Sequence, residues 1–162
     1  IAVANKFVWE EVMLIEGSFT VAAPIDKLFE FMLKPESIMS CVPGTESVRV
    51  IDDTTYECIV KQKVGIITAK LKFVNKMTKI EKPTYIEIEG EGEDMTKLGH
   101  FKNNTSVSLK EVSPGMVEVN YKSDVSIVGK LAMFGDRIMR AKAKDTEKEF
   151  TKNLQAKLKT LA

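Results

Sequence analysis

The side chains that usually carry chemistry are sparse in this chain. Its one histidine is His100, and its two cysteines, Cys41 and Cys58, lack a CxxC spacing. A zinc site would be short of ligands, and a pair of buried thiols is the simpler expectation. Two glycine-containing stretches invite a phosphate-binding reading and fail it. Gly129-Lys130 is followed by Leu131 rather than Ser or Thr, and Asp124 stands where a phosphate loop has its leading glycine. In "GEGED", residues 90–94, Met95 occupies the place of the third glycine of a dinucleotide fingerprint. For proton transfer there remain Asp94, at the end of a strand-like run, and the phenol of Tyr121.

Such groups act only where elements position them. "SFTV" reads as a strand, and after Pro24 the spacing of Leu28, Phe29 and Met32 predicts a short helix. Pro35 permits a second short helix, "PESIMS", which Pro43 and Gly44 close. "YECIVKQKV", "AKLKFVNKMTKI", "YIEIEGEGE", "FKNNTSVSLKEV" and "MVEVNYKSDVSIV" then alternate with period two, and their breaks are short enough for antiparallel hairpins. The last stretch, residues 130–162, is rich in Ala, Lys, Leu and Glu and predicts a long helix that contains Gly135. The expectation is an α+β fold: a curved antiparallel sheet of about seven strands with its apolar face on that helix.

Bulk properties agree with one domain. The chain has 162 residues, 44% hydrophobic and 29% charged, which suits a globular protein with a real core. No run approaches the roughly 18 apolar residues of a membrane span. The start, "IAVANKFVWEEV", lacks a continuous apolar signal core, so a cytoplasmic protein is expected. Residues 1–12 are expected to be an extension of a domain covering 13–162. The net charge of +1 hides an asymmetry, because residues 130–162 hold nine Lys/Arg against four Asp/Glu. Arg137, Arg140, Lys144 and Lys148 of this segment are candidates for contact with an anionic membrane or partner.

Alternation also assigns faces. The inward set comprises Cys58, Val60, Gln62 and Val64; Leu71, Phe73, Asn75 and Met77; Ile86, Ile88, Gly90 and Gly92; Phe101, Asn103 and Thr105; Tyr121, Ser123 and Val125. The lysines and Glu87, Glu89, Glu91 and Glu93 point outward, as does His100. Gly90 and Gly92 on the core side suggest either a bend with close packing or space kept for a ligand. Leu131, Phe134 and Ile138 form one helical stripe and Ala132, Met139, Ala143, Phe150 and Leu154 another, with Gly135 beside the first. Met32 and Met39 are candidate adaptable walls. The hollow so drawn is apolar, holds a few neutral polar groups, and offers no nucleophile with a base in reach, which favours binding over catalysis.

Taken together, "EGSFTVAAPIDKLFEFMLKPESIMSCVPG", "KQKVGIITAKLKF", "IEGEGED" and "VSIVGKLAMFGDRI" resemble the CoxG family, named for the G subunit of carbon monoxide dehydrogenase, over about residues 16–155. The signature falls on Gly129, Lys130, Leu131, Ala132, Gly135 and Arg137, with Val128 replacing the first glycine of its usual pair. The resemblance implies a START-like (SRPBCC) helix-grip fold around an apolar cavity. It further implies an accessory protein of a molybdenum-containing carbon monoxide dehydrogenase, active in membrane attachment and in binding lipid or quinone. No catalytic residue, metal or required cofactor and no nucleic acid is implied. Two other readings stay open: an aromatase/cyclase-like enzyme of the same fold, and a recruitment module that docks through its basic helix.

Overall fold

The six strand-like runs become strands in the computed structural model, which describes residues 10–161, and a seventh strand, Thr45–Val50, joins them without clean period-two alternation. In chain order these are β1 (Glu10–Ala22), helices α1 (Ile25–Leu33) and α2 (Pro35–Met39), then β2 (Thr45–Val50), β3 (Thr55–Val64) and β4 (Ile67–Glu81). There follow β5 (Tyr85–Asp94), β6 (His100–Ser113), β7 (Met116–Val128), a 3-10 turn (Lys130–Phe134) and the long helix α3 (Gly135–Leu161). The sheet order is β1-β7-β6-β5-β4-β3-β2, with every neighbouring pair antiparallel. The first strand therefore pairs with the last, and the register sets Gly17 opposite Tyr121. Within the extension expected over residues 1–12, Glu10–Val12 pair with β7. Residues 1–9 lie outside the described residues.

Each strand turns its expected set inward. On β4, Ala69 and Met77 are buried while Lys70, Lys72 and Lys76 are exposed, and β3, β5, β6 and β7 divide in the same way. The reason is elementary: one face loses water to the helices and the other does not, so a slip of one residue would expose the whole apolar set.

The core gathers at three places. The largest cluster joins Val21, Leu28, Phe29, Phe31, Met77, Val117, Val119, Leu154 and Leu158, tying α1 and the far half of α3 to the sheet. Pro35 opens α2 at the helical position where a missing N–H costs nothing. At the opposite end of the sheet Met13, Ala69, Ile127, Leu131 and Ala132 form a second cluster around the 3-10 turn. A third, Met39, Tyr56, Cys58 and Val60, sits beneath α2.

The final segment corrects the sequence expectation. It is not one helix from residue 130. Gly129 (φ 102°, ψ −165°) and Gly135 (φ 72°, ψ 176°) both adopt a mirror-extended conformation that essentially only glycine tolerates, and they bracket the five-residue turn. The stripe Leu131, Phe134, Ile138 therefore does not exist as a stripe, because the first two residues precede the helix. Ile138 is 43% exposed. The second stripe loses Ala132 to the same turn and holds from Met139 onward: Met139 packs on the second cluster, Phe150 and Leu154 on the first.

The helix is held most firmly at its distal half. Leu154 is completely buried. Asn153 donates to the Cys41 carbonyl at 3.0 Å, while Gln155 accepts from the Ala22 amide at 2.8 Å and donates to its carbonyl at 3.1 Å. With both ends of the gripped face anchored, the middle of α3 spans the sheet without filling the gap beneath it.

Candidate functional site

That gap is a space of about 380 Å³, within the range of roughly 300–1,000 Å³ common for small-molecule sites. Its floor is the sheet: Ile15 and Phe19 from β1, Val119 and Tyr121 from β7, Thr105 and Val107 from β6, Ile86 and Ile88 from β5, Met77 and Tyr56 from β4 and β3. Met32 of α1 and Ile38 of α2 close one side, and Ala143, Thr146, Glu147 and Phe150 of α3 form the roof. The small side chains of Ala143 and Thr146 at mid-helix leave the volume that a larger residue would fill. Phe19 is edge-on to Phe150, with ring centroids 6.1 Å apart, and tilted against Tyr121 at 6.4 Å.

Besides the hydroxyls of Tyr56, Thr105 and Thr146, a phenol–carboxylate pair interrupts the apolar lining. Tyr121 Oη donates to Glu147 Oε1 at 2.6 Å. Burial, then the hydrogen bond and charge of Glu147, push the Tyr121 phenol far above its ordinary range, so it remains a protonated donor. The expectation that the hollow offers no nucleophile with a base in reach drew on the strands alone, and Glu147 faces it from α3 beside Tyr121. Glu147 lies four residues after Ala143 and three before Phe150, so helical spacing could have found it. Ile15 and Phe19 were equally legible, by extending the parity of Val21 back along β1.

Of the residues expected to line the cavity, Met32, Ile88, Thr105 and Tyr121 do so. The rest are placed elsewhere. Met39, Val60 and Phe73 belong to the third cluster, while Leu71, Phe101, Leu131 and Phe134 belong to the second. Gln62 Nε2 donates to the Pro43 carbonyl at 2.7 Å and pins the loop before β2. Asn103 donates to Thr105 at 2.9 Å, and Thr105 and Ser123 share a hydrogen bond of 2.7 Å, forming a polar band across β6 and β7. Gly135 has open space where a Cβ would be, so its role is conformational and not a close approach.

Gly90 and Gly92 do not hold space for a ligand. A Cβ on Gly90 would collide with the carboxamide oxygens of Asn75 and Asn103, and one on Gly92 would lie 2.5 Å from Phe73 Cβ and 2.8 Å from Phe101 Cζ. Cross-strand side chains have taken the volume, and the two rings meet edge to face at 6.0 Å.

Asp94 is fully buried and points away from the cavity. Its oxygens accept from the amides of Lys70 (2.9 Å), Thr96 (3.0 Å) and Leu98 (3.2 Å) and from the Thr96 hydroxyl. Burial pushes its pKa up, but these bonds outweigh burial and hold the carboxyl below its usual range. Its work is to tie the β5–β6 turn to β4. Cys41 and Cys58 are buried free thiols, and burial together with the charge of Glu57 pushes Cys58 up to about 12. Arg137, Arg140, Lys144 and Lys148 are exposed on α3, Arg140 and Lys144 on its β1 side near Glu147, and Arg140 is engaged by both oxygens of Asp136 at 2.7 Å. Among the described residues no His, Cys, Asp or Glu side chains gather as a metal site, and no helix is long and apolar enough to cross a membrane.

Solved structures share the arrangement. A conserved protein from Geobacillus kaustophilus superposes with a TM-score of 0.84 at 18% identity, covering 91% of this chain and 96% of that one. A START superfamily protein from Mycobacterium smegmatis gives 0.70 at 15% identity, with 92% and 99% covered. The Zhui aromatase/cyclase from Streptomyces sp. R1128 gives 0.67 at 11% identity, with 92% and 94% covered. These likenesses establish a START-like helix-grip fold. No curated protein matches the chain in sequence. The family described as CoxG, the G subunit of carbon monoxide dehydrogenase, matches residues 17–159, and with nearly the whole domain inside that match, the chain belongs to this family.

Proposed function

We propose that the protein binds a hydrophobic small molecule, a lipid or an isoprenoid quinone, without transforming it, as an accessory to a carbon monoxide dehydrogenase or a similar oxidoreductase. The observation that carries this reading is the mid-helix space of about 380 Å³, walled mainly by apolar side chains from sheet and helices alike and containing a single carboxylate, Glu147. Apolar area removed from water is worth about 25 cal/mol per Å², and such a lining offers it to an oily molecule and to little else.

Organic extraction followed by mass spectrometry should recover an apolar molecule from purified protein. A ligand at one hundred times its Kd adds about 2.7 kcal/mol of stability, which for a chain of this size raises Tm by roughly 5–11 °C. Protein that extracts empty, and melts unchanged with quinones and fatty acids alike, would sink the proposal.

The Tyr121–Glu147 pair favours a second reading, an aromatase/cyclase-like enzyme, since a fixed phenol and a carboxylate in an apolar space could move a proton. Incubation with a poly-β-ketone substrate separates the two, with cyclised product supporting the enzyme and its absence the binding protein. Recruitment to an anionic membrane through Arg137, Arg140, Lys144 and Lys148 is compatible with either, and predicts vesicle binding that weakens with salt.

A further inference from the structure

We propose that the occupant of the cavity is an amphiphile whose polar end is a hydroxyl, donated to Glu147 where the apolar space meets a smaller polar one. This deepens the binding function proposed above and rests on it. The smaller space, about 180 Å³, shares Ile15, Tyr121, Ala143 and Glu147 with the larger and adds Glu16, Arg140 and Lys144. An elongated molecule lying under α3 thus has one end that can reach polar groups, beside β1.

The chemistry at that end is set by Glu147. Its Oε1 accepts the Tyr121 proton, and among the described residues no donor reaches Oε2. A half-buried carboxylate with a free oxygen gains most from a donor, because a charge-assisted hydrogen bond is roughly twice as strong as a neutral one. The rim does not call for a charged head. Glu16 and Glu147 offset Arg140 and Lys144, and Arg140 is already held by Asp136. A charged head of either sign would meet two groups of like charge there. A ketone, ether or oxidised quinone offers Glu147 only acceptors, so within the quinone class proposed above the hydroquinol is the form that fits. An alcohol, phenol or hydroquinol offers the proton the site lacks.

The backbone makes room for this pair. Gly17 faces Tyr121 across the β1–β7 ladder, and a Cβ there would collide with Tyr121 Oη and Glu147 Oε1 and lie 2.7 Å from Tyr121 Cζ. A side chain at position 17 would displace both oxygens, so the bare strand is what lets a phenol and a carboxylate meet over it.

Dodecanol and dodecyl methyl ether are matched probes, and their affinities can be read by displacement of a fluorescent apolar dye. The expected result is that the wild-type protein binds the alcohol about tenfold more tightly than the ether, and that Glu147→Leu brings the two affinities to within twofold of each other. Equal affinities in the wild type, which need no variant, overturn the inference and leave the binding function standing. So does an alcohol preference that survives in Glu147→Leu. Failure of both probes to displace the dye overturns the binding function itself, and this inference with it.

Discussion

Asp94 illustrates how a residue type read as chemistry can turn out to be architecture. It is fully buried, yet three amides and a hydroxyl converge on it, so it stays ionised below the ordinary carboxylate range. Replacing it with asparagine removes a charged acceptor from several hydrogen bonds, at a cost of about 2–3 kcal/mol. The sign with pH follows from the lowered folded pKa. The stabilisation is complete above the unfolded value of about 3.9 and is lost as pH falls through the folded one. Thermal melts of wild type and Asp94→Asn should therefore differ fully at neutral pH and converge below about pH 4. A gap that stays constant into acid would mean that Asp94 is not ionised in the fold.

At the scale of elements, the joint between β7 and α3 decides where the roof of the cavity lies. Two glycines in conformations that cost other residues about 1–3 kcal/mol each turn the chain out of the sheet and into the helix. They are not equivalent. A Cβ at Gly135 meets open space, whereas one at Gly129 would lie 2.8 Å from Gly99 Cα and 2.9 Å from the Leu98 carbonyl. Chemical denaturation should rank Gly129→Ala as more destabilising than Gly135→Ala, with the second costing only its backbone strain. The pair of glycines and the five residues between them are plain in the sequence. The break they impose was not, since helical composition runs unbroken across Gly135 and only a torsion angle shows that the helix begins there.

For the whole molecule, stability and capacity are separated along one helix. Leu154, completely buried in the main cluster, carries α3 on the sheet, and Leu154→Ala should cost about 2–5 kcal/mol. Phe150, one turn earlier, lines the empty space. Phe150→Trp should lower Tm by a few degrees at most while reducing binding of an apolar dye at least several-fold. If both substitutions act alike on melting and on dye binding, the space is not a binding site. Sequence by itself determined the antiparallel sheet, the inward sets of β3 to β7 and the family, because each rests on local periodicity and on motifs contiguous in the chain. The tertiary structure alone decided which inward residues face emptiness. Asn75, Asn103, Phe73 and Phe101 close over the strand glycines, and Glu147 comes to meet Tyr121 across Gly17. Those outcomes depend on side chains far apart in sequence competing for one volume, and periodicity sets the side a residue faces without setting what it meets there.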